Sequence, residues 1–202
     1  MFDLIQGIYC NLQRPNEDDY DTMVRWMKDP FLNTTVFDES SFEGGAKQQA
    51  RVWIDGNAEV FGAEDLVVMA RSAKTGQSIG LVLLKNIDWK SRTADIHYLV
   101  GEAEFRHNRY GPEIALLGLK LAFHFLNLHK IYGYVLSTND NSRSLADFGA
   151  LEEGVLAHYL QTDHGWADYH LFSLRGPDFQ GFLDRHRDGV LRRYYRKGVF
   201  TT

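Results

Sequence analysis

Between Gly111 and Asn127 the sequence is apolar at almost every position, and this stretch limits the fold more than any other. Only Glu113, Lys120, His124 and Asn127 are left for a narrow polar stripe at helical spacing. The pattern predicts a helix buried over most of its circumference. It is preceded by TADIHYLV (93–100) and followed, after Leu128 and His129, by KIYGYVL (130–136), both strand-like. Strand, helix and strand with so tight a return make a βαβ crossover, so the two strands are expected as parallel neighbours.

The other segments fill out a mixed sheet. GIYCNLQR (7–14) alternates as a first strand. Pro15 interrupts it, and Asn16 is a suitable N-cap for a helix carrying Tyr20, Met23, Val24 and Met27, which Asp29-Pro30 ends. Residues 42–62 are polar with spaced apolar positions and weakly helical. DLVVMAR (65–71), SIGLVLLKNI (78–87) and the 93–100 strand are joined by short turns, the pattern of an antiparallel meander. Past the crossover, NDNSRSLADF (139–148) suggests a short helix and GALEEG (149–154) a loop. VLAHYL (155–160) and DYHLFSL (168–174) suggest a closing hairpin. The fold class is α/β (α+β): one domain over residues 1–176, about six to seven strands, mostly antiparallel with one parallel pair, flanked by helices.

Residues 177–202 are expected as a basic helical extension, packed on the domain or trailing it. Gly181 to Thr202 hold six Lys/Arg and two Asp, a local charge of +4, in a chain whose net charge is −5. That negative balance argues against general nucleic-acid binding, which needs a basic footprint. No apolar run reaches the roughly 20 residues of a bilayer span, so no membrane association is expected. The opening MFDLIQGIYCNLQRP lacks a signal-peptide pattern. The single cysteine, Cys10, excludes a disulfide framework and fits a reducing cytoplasm.

The turn FRHNRYGPE (105–113) opens the apolar helix. Pro112 suits the first helical turn, where its missing N–H costs nothing, and Glu113 complements the helix dipole. Ahead of them, Arg106 to Tyr110 place backbone amides, two Arg and a His at the positive end of a buried helix. That combination favours a phosphate or pyrophosphate. The turn follows strand 93–100, where open α/β sheets leave a crevice. Two parallel strands diverging there would present edge amides and carbonyls to a linear ligand with amide groups of its own. A pyrophosphate at the helix and a peptide-like arm along the strand describe coenzyme A.

RHNRYGPE, LNLHKIYGYVLSTNDNS and GALEEG, with this order of elements, resemble the GNAT superfamily of acyl-CoA-dependent N-acyltransferases over roughly residues 7–175. NLQRPNEDDYDTMVRWMKDP resembles the start of the branch containing the ribosomal-protein N-terminal alanine/serine acetyltransferases. The resemblance implies a GNAT-like fold and acetyl-CoA as cofactor. The family's phosphate motif, Gln/Arg-x-x-Gly-x-Gly/Ala, is met by Arg106, Tyr110 and Gly111, with His107 and Asn108 between. Arg109 stands where the first glycine is expected. A helical φ at Arg109 preserves the cradle's amides; a positive φ, which glycine tolerates, compromises them. Asn139 and Ser142 match the family's Asn-x-x-Ser, implying contact with the pantetheine and a place near the cofactor sulfur. Asn141 and Ser144 are substitutes for them, because the spacing to Gly149 is slightly short. On residues alone, Asn139 and Ser142 read as caps of the next helix.

Acyl transfer to an amine needs a free amine, a polarised thioester carbonyl and a proton for the leaving thiolate. Asp95 lies where the branch commonly has Glu and is the candidate to accept the ammonium proton through water or to orient the amine. His97 shares its face and, beside a carboxylate, is expected to titrate near neutrality as a second candidate base. The backbone amides of Leu99 and Val100 are candidates to polarise the carbonyl. Ser142 is the leading proton donor, with Tyr159 and Tyr134 as alternatives. The His spacings give no metal-ligand pair. The expected activity is N-acetyl transfer from acetyl-CoA to a primary amine, of a protein N-terminus or a small molecule, by direct attack in a ternary complex. Asp38, Glu39, Glu43, Asp55, Glu59 and Glu64 favour a cationic acceptor. The alternative is a CoA-binding or interaction module without catalysis. A homodimer is admitted by either reading.

Overall fold

The computed structural model describes residues 4–30, 32, 44–56, 61–106, 108–137, 148–162 and 165–200. In chain order its elements are β1 (Leu4–Gln6), β2 (Cys10–Gln13), α1 (Tyr20–Met27), α2 (Gly45–Gly56), β3 (Leu66–Ser72), β4 (Ser78–Asp88) and β5 (Thr93–Val100). Then come α3 (Tyr110–Lys120), prolonged by a π turn over Leu121–Phe125, β6 (Lys130–Leu136), β7 (Leu151–Thr162), β8 (Gly165–Arg175), α4 (Gly176–His186) and α5 (Arg192–Arg196). The eight strands form one sheet in the order β1-β2-β3-β4-β5-β6-β8-β7. Every neighbouring pair is antiparallel except β5–β6, the two strands that α3 joins.

The continuous apolar run of β3 is explained by cover on both faces. Leu66, Val68 and Ala70 join the cluster that contains α3. Val67 and Met69 join the cluster built with Met23, Trp26 and Met27 of α1 and Ala46, Ala50 and Trp53 of α2. Phe179, Phe182, Leu183, Leu191, Val199 and Phe200 of the C-terminal segment are buried in the α3 cluster.

The strand count exceeds the expected six to seven because Leu4–Gln6, ahead of the expected first strand at 7–14, forms a strand of its own, and residues 7–9 are the reversal that follows it. The chain reverses at Gly7, where a Cβ would lie 2.3 Å from the Cys10 carbonyl oxygen, so β1 and β2 form a separate pair. The expected loop at 149–154 is also shorter, since β7 already begins at Leu151. Cross-strand contacts hold it there: Glu152 meets His170 Nδ1 at 2.8 Å, and Glu153 accepts from Ser173 Oγ at 2.6 Å. The expected helix at 139–148 falls outside the described residues up to position 147. Among the described residues no helix is long and apolar enough to cross a membrane.

Candidate active site

The parallel ladder is short. Thr93, Ala94 and Asp95 pair with Lys130, Ile131 and Tyr132, and there the register ends. From Ile96 onward β5 pairs with β4, while β6 from Gly133 onward pairs with β8. The sheet therefore opens into a wedge between two strands that both run toward α3's N-terminal end.

Hydrogen bonding alternates along an antiparallel strand. Gly101 N–H donates to the Ile79 carbonyl at 2.8 Å, and Leu99 pairs with Leu81 two residues back. The Leu99 amide thus belongs to the β4 ladder, which corrects its expected part in polarising a carbonyl. The Val100 amide turns the other way, into the wedge. The Arg92 carbonyl, in phase with Val100, confirms that direction by accepting from His129 N–H and Lys130 N–H at the start of β6.

The turn expected to cradle a phosphate stands at the wedge's mouth. Arg109 is the N-cap of α3, with φ −65° and ψ −10°. Arginine is therefore unstrained where the motif has glycine, and the helical φ keeps the amides in place. A helical bond runs from Glu113 N–H to the Arg109 carbonyl at 3.3 Å, so the amides before it lie at the open, positive end of the helix. A Cβ on Gly111 would touch only Val100 Cγ2, at 3.6 Å. Packing does not demand glycine there; its bareness leaves the approach to those amides open.

Arg106 behaves differently from the expectation that it contacts cofactor. Its guanidinium donates to the carbonyls of Val100 (3.1 Å) and Gly101 (2.8 Å) and reaches Asp29 at 3.4 Å, and its N–H donates to the Ala103 carbonyl. It braces the loop from within. α1 clasps the same loop: Trp26 Nε1 and Arg25 both donate to Glu102, and a Cβ on Gly101 would lie 2.1 Å from Trp26 Cε2. On the other side, the rings of Phe105 and Tyr110 meet edge to face at 4.9 Å. Asn108 is exposed at the turn.

Glu113 was expected on a polar stripe, where it complements the dipole. It is buried, and its carboxylate accepts the N–H groups of Ile8, Tyr9 and Cys10, each at 2.7 Å. The reversal between β1 and β2 is thereby pinned to the first turn of α3.

On the α1/α2 face of the wedge, Asp95, His97 and Leu99 line up at period two. Asp95 accepts from Asn86 Nδ2 at 2.7 Å. Asn86 sits at an irregularity in the β4–β5 register with φ +52°, a bulge that aims its carboxamide across the strand. Burial pushes the Asp95 carboxyl above its ordinary range, against the pull of Asn86 and Lys85. Burial, with Lys85 nearby, pushes His97 down to about 4. The imidazole is thus neutral at physiological pH, correcting the expectation of a near-neutral titration. Tyr134, one step beyond the ladder on β6, is held above its usual pKa by burial and by Asp95. Its ring lies 6.2 Å from Tyr169, which packs on Tyr159 at 4.9 Å. Tyr159 itself is exposed on the outer strand β7.

His107, Asn139 and Ser142, with Asn141 and Ser144, lie outside the described residues. Sequence reasoning missed Asn86 and the anchoring part of Glu113. Asparagine's tolerance of positive φ was the one local signal for the first. Among the described residues no group of three His, Cys, Asp or Glu side chains is placed to hold a metal ion.

Residues 10–147 match the model of the Acetyltransferase (GNAT) domain. No curated protein matches the chain. Among solved structures, the chain is similar to spermidine N-acetyltransferase from Vibrio cholerae in complex with CoA and spermine. The TM-score is 0.73 at 18% identity, over 85% of this chain and 98% of that one. A dodecameric form of spermidine N-acetyltransferase from Vibrio cholerae gives a TM-score of 0.70 at 17% identity, over 85% and 96% of the two chains. A putative acetyltransferase from T. thermophilus gives 0.68 at 18% identity, over 96% and 98%.

Proposed function

Because the chain belongs to the GNAT acetyltransferase family, we propose that it transfers an acetyl group from acetyl-CoA to a primary amine by direct attack in a ternary complex. The observation that carries this reading is the parallel ladder that stops at Asp95 and Tyr132 in front of a helix N-terminus with a bare Gly111. Acetyl-CoA supplies a thioester carbonyl open to attack and a thiolate that leaves. The amides of Asn108 to Gly111 would hold its pyrophosphate, and the wedge-facing edge of β5 its amide-bearing arm.

Asp95 orients the acceptor's ammonium group and takes its proton through water, leaving the amine's lone pair free. The Val100 amide polarises the carbonyl under attack. Tyr134, which borders the wedge, and Ser142 are our candidates for returning a proton to the thiolate, with Tyr159 further out. His97, neutral and half-buried, serves as a wall of the site and not as the base.

The acceptor we favour is cationic, because it meets a carboxylate beside the rings of Tyr134, Tyr159 and Tyr169. Polyamines, as in the Vibrio cholerae neighbour, and protein N-termini, as in the branch the sequence resembles, both meet that description. Self-association, by analogy with the dodecameric neighbour, falls to the exposed apolar side chains of the β7–β8 hairpin. The helical φ of Arg109, which keeps the turn's amides in place, favours the catalytic reading over a CoA-binding module without catalysis.

Calorimetry with acetyl-CoA, followed by thiol-release assays on spermidine, an Ala- or Ser-starting peptide and an amino sugar, tests the reading. Binding with turnover on at least one amine is expected. No binding at millimolar cofactor overturns it; binding without turnover moves the chain to the non-catalytic alternative.

A further inference from the structure

Two guanidinium groups converge on the ring of Tyr9. Arg109 Cζ lies 4.7 Å from the ring centroid and Arg193 Cζ 5.2 Å. Arg193 Nη1 also donates to Tyr9 Oη at 2.8 Å. Both arginines are exposed, and neither forms an ion pair among the described residues. The carboxylate on the same turn, Glu113, is committed to three backbone amides.

Arg193 is held in place by its neighbours. Tyr194 is half-buried, and burial beside the Glu113 carboxylate raises its pKa. Val199 and Phe200 are buried, and Lys120 Nζ donates to the Val199 carbonyl. The C-terminal segment thus lies along α3, from Tyr9 beside the helix's first turn to Lys120 at its last, and carries an uncompensated cation to a ring that already bears one. Like charges on one ring repel, and an anion between them relieves that repulsion.

We propose that Arg109 and Arg193, arranged on Tyr9, form the seat of the ribose 3′-phosphate of CoA, so that the C-terminal segment completes the cofactor site. This rests on the acetyltransferase reading. The pyrophosphate uses the helix-end amides, which belong to the backbone of the turn; the guanidinium pair is carried to one side of them. The next anionic group along CoA is the 3′-phosphate. As a phosphomonoester it bears close to two charges near neutrality, which matches two guanidinium groups.

Calorimetry on the full chain with CoA and with 3′-dephospho-CoA tests the proposal. The unsubstituted protein is expected to prefer CoA by about tenfold or more. Arg193→Ala is expected to bind CoA about tenfold more weakly and 3′-dephospho-CoA unchanged, with Arg193→Lys between them. A melting temperature unchanged within about two degrees shows that the exposed substitution left the fold intact. Equal loss for both ligands, or no loss for either, overturns the seat. If the unsubstituted protein binds both without preference, only the seat falls. If it binds neither, the acetyltransferase reading falls with it.

Discussion

The carboxylate of Glu113 accepts the backbone N–H of Cys10 at 2.7 Å, across a sequence separation of 103 residues. The same carboxylate holds Ile8 and Tyr9, so one side chain satisfies a whole reversal of the backbone. Glu113→Ala leaves three donors without an acceptor and is expected to cost roughly 3–5 kcal/mol, measured by urea unfolding. Glu113→Gln, which keeps one acceptor, is expected to cost less than half as much. Equal stability of all three proteins would show that water replaces the carboxylate.

The Asn86–Asp95 bond predicts a shift of a pH profile. If Asp95 must be ionised for transfer, kcat/KM falls as pH drops through its raised pKa. The bond from Asn86 favours the ionised form, so removing it raises that pKa further. Asn86→Gly loses the carboxamide while accommodating the φ of +52°. Its acid limb is expected at higher pH than that of the unsubstituted protein. Superimposable profiles would detach Asp95 from the reaction.

His97 predicts a pH dependence of stability. Its folded pKa, about 4, is below the ordinary 6.5, so between these values the unfolded chain binds more protons. Stability is expected to rise with pH across that window and level off above it. His97→Gln is expected to flatten this part of the curve in unfolding experiments at pH 4.5 and 7. A His97 resonance titrating near neutrality would refute the assignment.

Three substitutions in the cradle separate folding from binding. Gly111→Ala adds a methyl group that the helix tolerates and is expected to raise stability by about 0.5–1 kcal/mol. The family's motif admits alanine at this position, so CoA binding is expected to stay within about threefold, whereas the larger side chain of Gly111→Val is expected to close the approach to the amides and weaken binding more than tenfold. Arg109→Gly restores the family's motif. Because Arg109 is already helical, it is expected to lower stability by up to about 1 kcal/mol and to weaken binding, not improve it. Melting curves and calorimetry read all three.

The crossover was legible because α3 is too apolar to sit anywhere except against the sheet, and its flanking strands leave one short return. The place of the proposed cradle rests on that topology. Less legible were features fixed by side-chain direction. Arg106 matches a phosphate motif by type, yet two carbonyls at the strand's end and the Asp29 carboxylate claim its guanidinium. Glu113 looked like a dipole partner because the reversal at Gly7, which supplies its donors, is hidden inside a run that alternates like a single strand. The titration of His97 depends on burial by elements far away in sequence, which a neighbouring Asp95 does not reveal.

The ladder between β5 and β6 carries one last consequence. Among the described residues, three residue pairs, Thr93 to Asp95 against Lys130 to Tyr132, are the strand pairing that stitches β1–β5 to β6–β8. A seam sewn at one end gains rungs from whatever lies in its gap. Amide hydrogen exchange along Gly133 to Leu136 therefore becomes a gauge of occupancy, readable without a chromophore, an acceptor or a turnover.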